Sequence, residues 1–141
     1  IIGGAPARFK PFVDLFRRST APASLPVGIH SPGFVADTDD EARDLLFPHF
    51  KANRDRIGRE RGWPPVTRAE YEREADGGAL FVGSPQTVAR RIADAVTDLG
   101  VERFDLKYAN GTMPHEHLVH AIELYGTQVI PQVRELLAVR G

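Results

Sequence analysis

Three groups of residues in this chain carry side chains at spacings that could do chemistry. The first is His115-Glu116-His117-Leu118-Val119-His120. A zinc-binding helix of the protease type needs two histidines four residues apart with a Glu beside the first. Here the outer pair is five apart, about 140° around a helix, and His117 with His120 lacks a third nearby donor. No metal is expected, and His117 and His120 read as helix-surface residues. The second group is Gly83-Ser84-Pro85, which opens an apolar-periodic stretch. Free amides at the positive end of a helix suit a phosphate, and simple N-capping accounts for the same residues. The third is Phe104-Asp105-Leu106-Lys107-Tyr108-Ala109, where apolar and polar residues alternate. Such a strand sends Phe104 and Leu106 to one face and Asp105 and Lys107 to the other. Asp105 and Lys107 either neutralise each other or reach a substrate or cofactor. The loop that follows, Asn110-Gly111-Thr112-Met113-Pro114-His115, adds a turn and an imidazole, and His30 ends an earlier apolar run. The candidate catalytic groups are therefore His30, Lys107 and His115; the candidate cofactor contacts are Asn110, Gly111, Gly83 and Ser84.

The elements that must position these groups follow from local signals. A first helix is predicted from about Pro11 to Arg18, with Phe12, Leu15 and Phe16 on one face. The segment 19–24 reads as a connector, and Leu25 to His30 as a short buried strand. Thr38 with Glu41 forms a capping box for a long helix whose stripe includes Ala42, Leu45, Leu46, His49, Asn53 and Ile57. Pro48 within it predicts a kink or a break, and Gly62 before Trp63-Pro64-Pro65 stops it. Thr67 with Glu70 makes a second capping box. Ser84 and Pro85 begin a helix with Val88, Ile92, Val96 and Leu99 facing inward, and Gly100 ends it. Residues 58–78 read as an insertion between elements, rich in charge and turn residues.

Strand, loop and amphipathic helix thus recur at least twice, the pattern of a parallel α/β fold. A complete (β/α)8 barrel takes about 250 residues, whereas this chain has 141 and opens on Ile1-Ile2-Gly3-Gly4, which resembles the end of a strand. The expected architecture is the C-terminal portion of a single TIM-barrel domain. In such a barrel His30, Lys107, Asn110 and His115 face one mouth, since parallel strands all end on the same side.

Composition narrows the function classes. The chain is 42% hydrophobic with 18 Lys and Arg against 19 Asp and Glu, a net charge of -1. Basic residues are scattered in pairs such as Arg17-Arg18 and Arg90-Arg91, so a nucleic-acid partner is not expected. No apolar run approaches the roughly 20 residues of a membrane span. There is no Cys, which excludes thiol catalysis and fits a reducing, cytoplasmic setting.

Six segments, IIGGAPARFKPFVDLF, LPVGIHSPGFVADTDDEAR, IGRERGWPP, FVGSPQTVARRI, RFDLKY and GTMPHEHLVHAIELYGTQVIPQV, occur in an order that resembles the C-terminal part of the luciferase-like flavin-dependent oxidoreductases. That group contains bacterial luciferase and the alkanesulfonate monooxygenases. The resemblance implies a TIM barrel that binds reduced FMN, or in some branches the deazaflavin coenzyme, and oxidises a small organic substrate with O2. It implies that His30 matches a strand-end His near the active site and that His115 lies in the loop after the last strand. It also implies a homo-oligomer, or association with an N-terminal part that supplies most flavin contacts. The alternative is a non-catalytic truncated paralogue or a flavin-storing relative.

Overall fold

Residues 28–35, GIHSPGFV, form the strand on which the others assemble. The computed structural model describes residues 4–19, 25–109 and 111–140. A 3-10 turn at Pro6–Phe9 leads into α1 (Lys10–Arg18), followed by β1 (Gly28–Val35), α2 (Asp39–Arg61), α3 (Arg68–Gly77) and β2 (Phe81–Gly83). Then come α4 (Pro85–Leu99), β3 (Arg103–Lys107), α5 (His115–Leu124), a π-helical turn at Tyr125–Val129 and α6 (Ile130–Arg140). The three strands make an all-parallel sheet in the order β2-β1-β3. In a barrel built strand by strand, β2 lies between β1 and β3. Here β2 has three residues and pairs only with Gly33 to Val35, while β3 pairs with Gly28 to Pro32. The middle strand is β1, between β2 and β3.

Alternation divides the sheet into two faces, each with its own core. Ile29 and Val35 of β1 share a face with Phe81, Phe104 and Leu106, against Val88, Ile92 and Leu99 of α4. The face expected for Phe104 and Leu106 is the one observed. On the opposite face Phe34 and Val82 pack with Ala42 and Leu46 of α2, Tyr71 and Ala75 of α3, and Met113 and Ala121. Tyr71 is fully buried, between the rings of Phe47 and Phe50, and its hydroxyl donates to the Arg43 carbonyl at 2.9 Å.

Helix boundaries follow their caps. Thr38 Oγ1 accepts from the Glu41 amide at 3.2 Å. Thr67 and Glu70 complete the reciprocal box, with the Thr67 amide donating to Glu70 Oε2 at 2.8 Å. Ser84 Oγ accepts from the Thr87 amide at 3.3 Å, with Pro85 in the first turn.

Two expectations change, and one feature is new. The strand does not end at His30 but runs on to Val35, because Pro32 and Gly33, which look like breakers, sit where β1 exchanges one neighbour for the other. Pro48 does not break α2, which is continuous over 23 residues. Pro48 is exposed, so its ring projects into solvent while Ala42 and Leu46 anchor the helix. The C-terminal helical stretch is interrupted by the π-turn at Tyr125, for which periodicity holds no signal. Residues 1–3, most of the 19–24 connector and Asn110 lie outside the described residues.

Gly33 is where the sheet is tightest. A Cβ there would lie 2.2 Å from the Phe81 carbonyl oxygen and 2.4 Å from Leu106 Cδ1. Backbone cannot yield as a side-chain tip can, so Gly33→Ala should destabilise by about 2 kcal/mol or more, the scale of overpacking a tight core. Urea unfolding measures it; a loss under about 0.5 kcal/mol would show that β2 gives way freely.

Candidate functional site

The polar half of the sheet begins with register. His30 is paired with Asp105 and Pro32 with Lys107, so His30, Asp105 and Lys107 share one face. Arg103 lies on that face too, and its Nε donates to Asp105 Oδ1 at 3.0 Å and Oδ2 at 3.1 Å. Asp105 is therefore engaged by Arg103 rather than by Lys107. His30 is the third residue of β1, about 16 Å before the strand's end at 3.3 Å per residue. Lys107 ends β3 but stands beside Pro32, three residues short of the end of β1. His115 is exposed at the first position of α5. The structure brings His30 and Lys107 to one face, and among the described residues no hydrogen bond or ion pair joins His115 to either.

Beyond the strand ends the loops are cross-linked by side chains. Asp39 Oδ1 accepts from the Ser84 amide at 2.7 Å, and Asp39 Oδ2 from the Thr87 hydroxyl at 3.0 Å. A Cβ on Gly83, whose φ is +152°, would lie 2.6 Å from that carboxylate. The start of α4 is thus supplied with an anion from α2, and a phosphate at Gly83-Ser84 would have to displace it. Partial burial acts to raise the pKa of Asp39, but the Ser84 amide, the Thr87 and Ser84 hydroxyls and Arg43 outweigh it and hold the carboxyl below its ordinary 3.8. Two of the histidines are also placed here. His49 Nδ1 shares a 2.8 Å hydrogen bond with Thr112 Oγ1, and His120 Nε2 lies 3.2 Å from Asp37 Oδ1. Gly111 sits against His49 and Asn53 of α2. Among the described residues no group of three or more His, Asp or Glu is arranged to hold a metal ion.

A cleft of about 710 Å³ opens where α2, α3 and the sheet meet. Phe50, Trp63, Tyr71 and Leu80 give it apolar walls, Arg54 and Arg73 line it, and Pro32 brings it to the face that carries His30. Its outer wall is the strap 62–67, held to α2 by three bonds: Trp63 amide to Gly58 carbonyl at 2.9 Å, Val66 amide to Asp55 Oδ1 at 2.7 Å, and Lys51 Nζ to Val66 carbonyl at 2.9 Å. The Lys51 ammonium and the Val66 amide hold Asp55 below the usual carboxylate range. The Arg54 guanidinium stacks 4.0 Å from the Trp63 ring centroid.

The other arginines of this region are spent on structure. Arg43 pairs with Glu72 and Asp76, Arg68 with Asp44 and Glu72, and Arg91 donates to the carbonyls of Ala75, Leu80 and Gly78. Arg54 and Arg73 make no ion pair among the described residues. Sequence reasoning placed Trp63 in an insertion but missed both arginines. Local spacing flags only the Arg68–Glu72 pair of α3; the other acceptors of the paired arginines come from other elements.

No protein-family model matches this chain, and no curated protein matches it. Solved structures do. Over 89% of its length the chain overlays monooxygenase RslO1 from Streptomyces bottropensis, with a TM-score of 0.69 and 18% identity, covering 38% of that chain. It overlays the oxygenating constituent of 3,6-diketocamphane monooxygenase from Pseudomonas putida, a structure in complex with FMN, at TM-score 0.64 and 20% identity, covering 92% of this chain and 41% of that one. The long-chain alkane monooxygenase LadA matches at TM-score 0.60 and 21% identity, over 94% of this chain and 35% of that one. The likeness establishes the fold, which is the α/β, partial-barrel fold that the resemblance to luciferase-like monooxygenases implied. The chain spans about two fifths of the length of these structures.

Asp39 allows a direct test of the α4 start. Its folded pKa is depressed, so its contribution is present above the ordinary pKa and is lost as pH falls through the folded one. Asp39→Asn should cost about 0.5–1 kcal/mol at pH 7, the worth of a carboxylate at a helix start, and the gap from wild type should close below about pH 4. Urea midpoints at pH 7 and pH 3 measure both. A gap that does not change between them would mean the charge is not what stabilises α4.

Proposed function

We propose that this chain is part of a flavin-dependent monooxygenase that oxidises a small organic substrate with reduced FMN and O2. The observation that carries this reading is the overlay of nine tenths of the chain on monooxygenases, one of them with FMN bound. Whether the residues fit a flavin depends on donors that are still uncommitted. The Ser84 amide is occupied by Asp39. The cleft beside Trp63, lined by Arg54 and Arg73 together with Glu70 and Glu74, offers guanidiniums for a phosphate and aromatic walls for a planar ring, within the roughly 300–1,000 Å³ of cofactor and ligand sites. Those groups would hold the cofactor. Reduced flavin, when bound, supplies the electrons that let O2 deliver an oxygen atom to the substrate.

The chain's own part is binding and proton handling. His30 stands two residues from Pro32 on the face that reaches the cleft, where an imidazole can give or take a proton near neutral pH. Asp105, held by Arg103, is its register partner on β3. Lys107 places a cation beside Pro32 and favours negative charge developing there. The strap walls the outer side. The outer edges of β2 and β3 present unpaired backbone, and we assign them to association with further barrel strands.

In the full-length enzyme His30→Ala should lower turnover by about 10²-fold or more, the usual share of a positioned acid-base group, with little change in FMN affinity. A large and equal loss of FMN affinity would overturn the assignment of His30 to the substrate side. Replacing both Arg54 and Arg73 by Ala should weaken FMN binding by about 10-fold or more, since bonds to a charged group are worth about 1.5–3 kcal/mol each. Unchanged affinity in a calorimetric titration would remove the cleft from the flavin site.

A further inference from the structure

A second cavity lies away from the strap, between the C-terminal parts of β1 and β3 and the end of α5. It measures about 310 Å³ and is lined by Phe34, Val35, Leu106, Tyr108, Ala121, Ile122 and Tyr125. We propose that this cleft binds an uncharged, largely hydrocarbon molecule carrying one oxygen that accepts a hydrogen bond. The inference does not depend on the flavin reading, which uses other residues.

Four observations carry it. Position comes first: parallel sheets bind ligands beyond the carboxyl ends of their strands, and Val35 is the last residue of β1 while Tyr108 follows the last of β3. The floor is finished core, with Phe34 and Val35 each 1% exposed, whereas at the mouth Ile122 and Tyr108 are 47% and 44% exposed. Large apolar side chains left open around a closed apolar floor are what a hydrocarbon ligand would cover.

Polarity is the third observation. Among the lining side chains the polar atoms are the hydroxyls of Tyr108 and Tyr125. Burial, and then the charge of Asp105, push the Tyr125 pKa upward, so this phenol stays a donor, and a lining without a cation disfavours an anion. The fourth is the backbone. Tyr125 opens the π-helical turn, a feature that changes the direction of side chains and recurs at functional sites. Backbone angles stay α-helical through Leu124 and Tyr125, so the turn redirects the chain that follows this wall of the cleft.

Acetophenone, its hydrocarbon counterpart ethylbenzene and the anion benzoate are suitable probes, titrated against the uniformly 15N-labelled chain. Acetophenone should shift the amides of Phe34, Val35, Leu106, Ile122 and Tyr125 saturably and bind more tightly than ethylbenzene, while benzoate should produce no saturable shift. Tyr125→Phe should weaken acetophenone about three- to tenfold, the scale of one hydrogen bond, and leave ethylbenzene unchanged. Ile122→Trp should fill the cleft and abolish both. Absence of saturable shifts, or binding indifferent to both variants, overturns the proposal. So does sedimentation showing a dimer that Ile122→Arg dissociates, which would assign the cleft to a second copy of the chain.

Discussion

The close approach of β1 to β2 at Gly33 is the constraint on which the rest of the structure depends. The Phe81 carbonyl occupies the space a side chain at residue 33 would need. Only with that contact made can Phe34 and Val82 lie level on one face and Val35 and Phe81 on the other. The first pair belongs to the packing surface of α2 and α3, the second to that of α4. The strand therefore commits α4 to one side and α2 with α3 to the other. β1 is the central strand, with β2 paired to residues 33–35 and β3 to residues 28–32. Three strands thus make one sheet through a single shared element.

The same alternation explains why chemistry and core are neighbours. Along one face of β1 the residues run Gly28, His30, Pro32, Phe34. The last is sealed under α2, α3 and α5, while the first three stay beside Arg103, Asp105 and Lys107. A sheet face that is apolar at one end and charged at the other cannot be covered uniformly. It leaves an open boundary, and the Trp63 cleft meets it at Pro32. The strap that walls this cleft is fastened mainly by Asp55 and Lys51, charged groups that could have paired in solvent. Arg54 and Arg73 stand apart from such pairing. They share the cleft lining with Glu70, whose carboxylate is held below the usual range by the Thr67 amide first and by both guanidiniums after it.

Helix starts show how much local chemistry can decide. The Thr38, Thr67 and Ser84 caps, the stops at Gly62 and Gly100, and the inward stripe Val88, Ile92 and Leu99 were all legible, because each involves residues within one turn of one another. The parallel α/β class followed from the order of those elements, as did the alternation that separates Phe104 and Leu106 from Asp105 and Lys107. The candidate residues were legible as types. Their neighbours were not.

What the tertiary structure alone decided are the relations between distant segments. His30 reads as a strand terminus because Pro32 and Gly33 follow it, yet pairing with β2 carries the strand on to Val35. Gly83-Ser84 reads as either an anion site or a plain cap, because the carboxylate that reaches the Ser84 amide comes from Asp39, 45 residues earlier. Pro48 reads as a break because its penalty is local, while the anchoring of α2 by Leu46 and Tyr71 is not. In each instance the sequence by itself determined the local preference, whose energy comes from groups a few bonds apart. Folding determined the outcome, because burial and hydrogen bonding between remote residues exceed a local preference of about 1–3 kcal/mol.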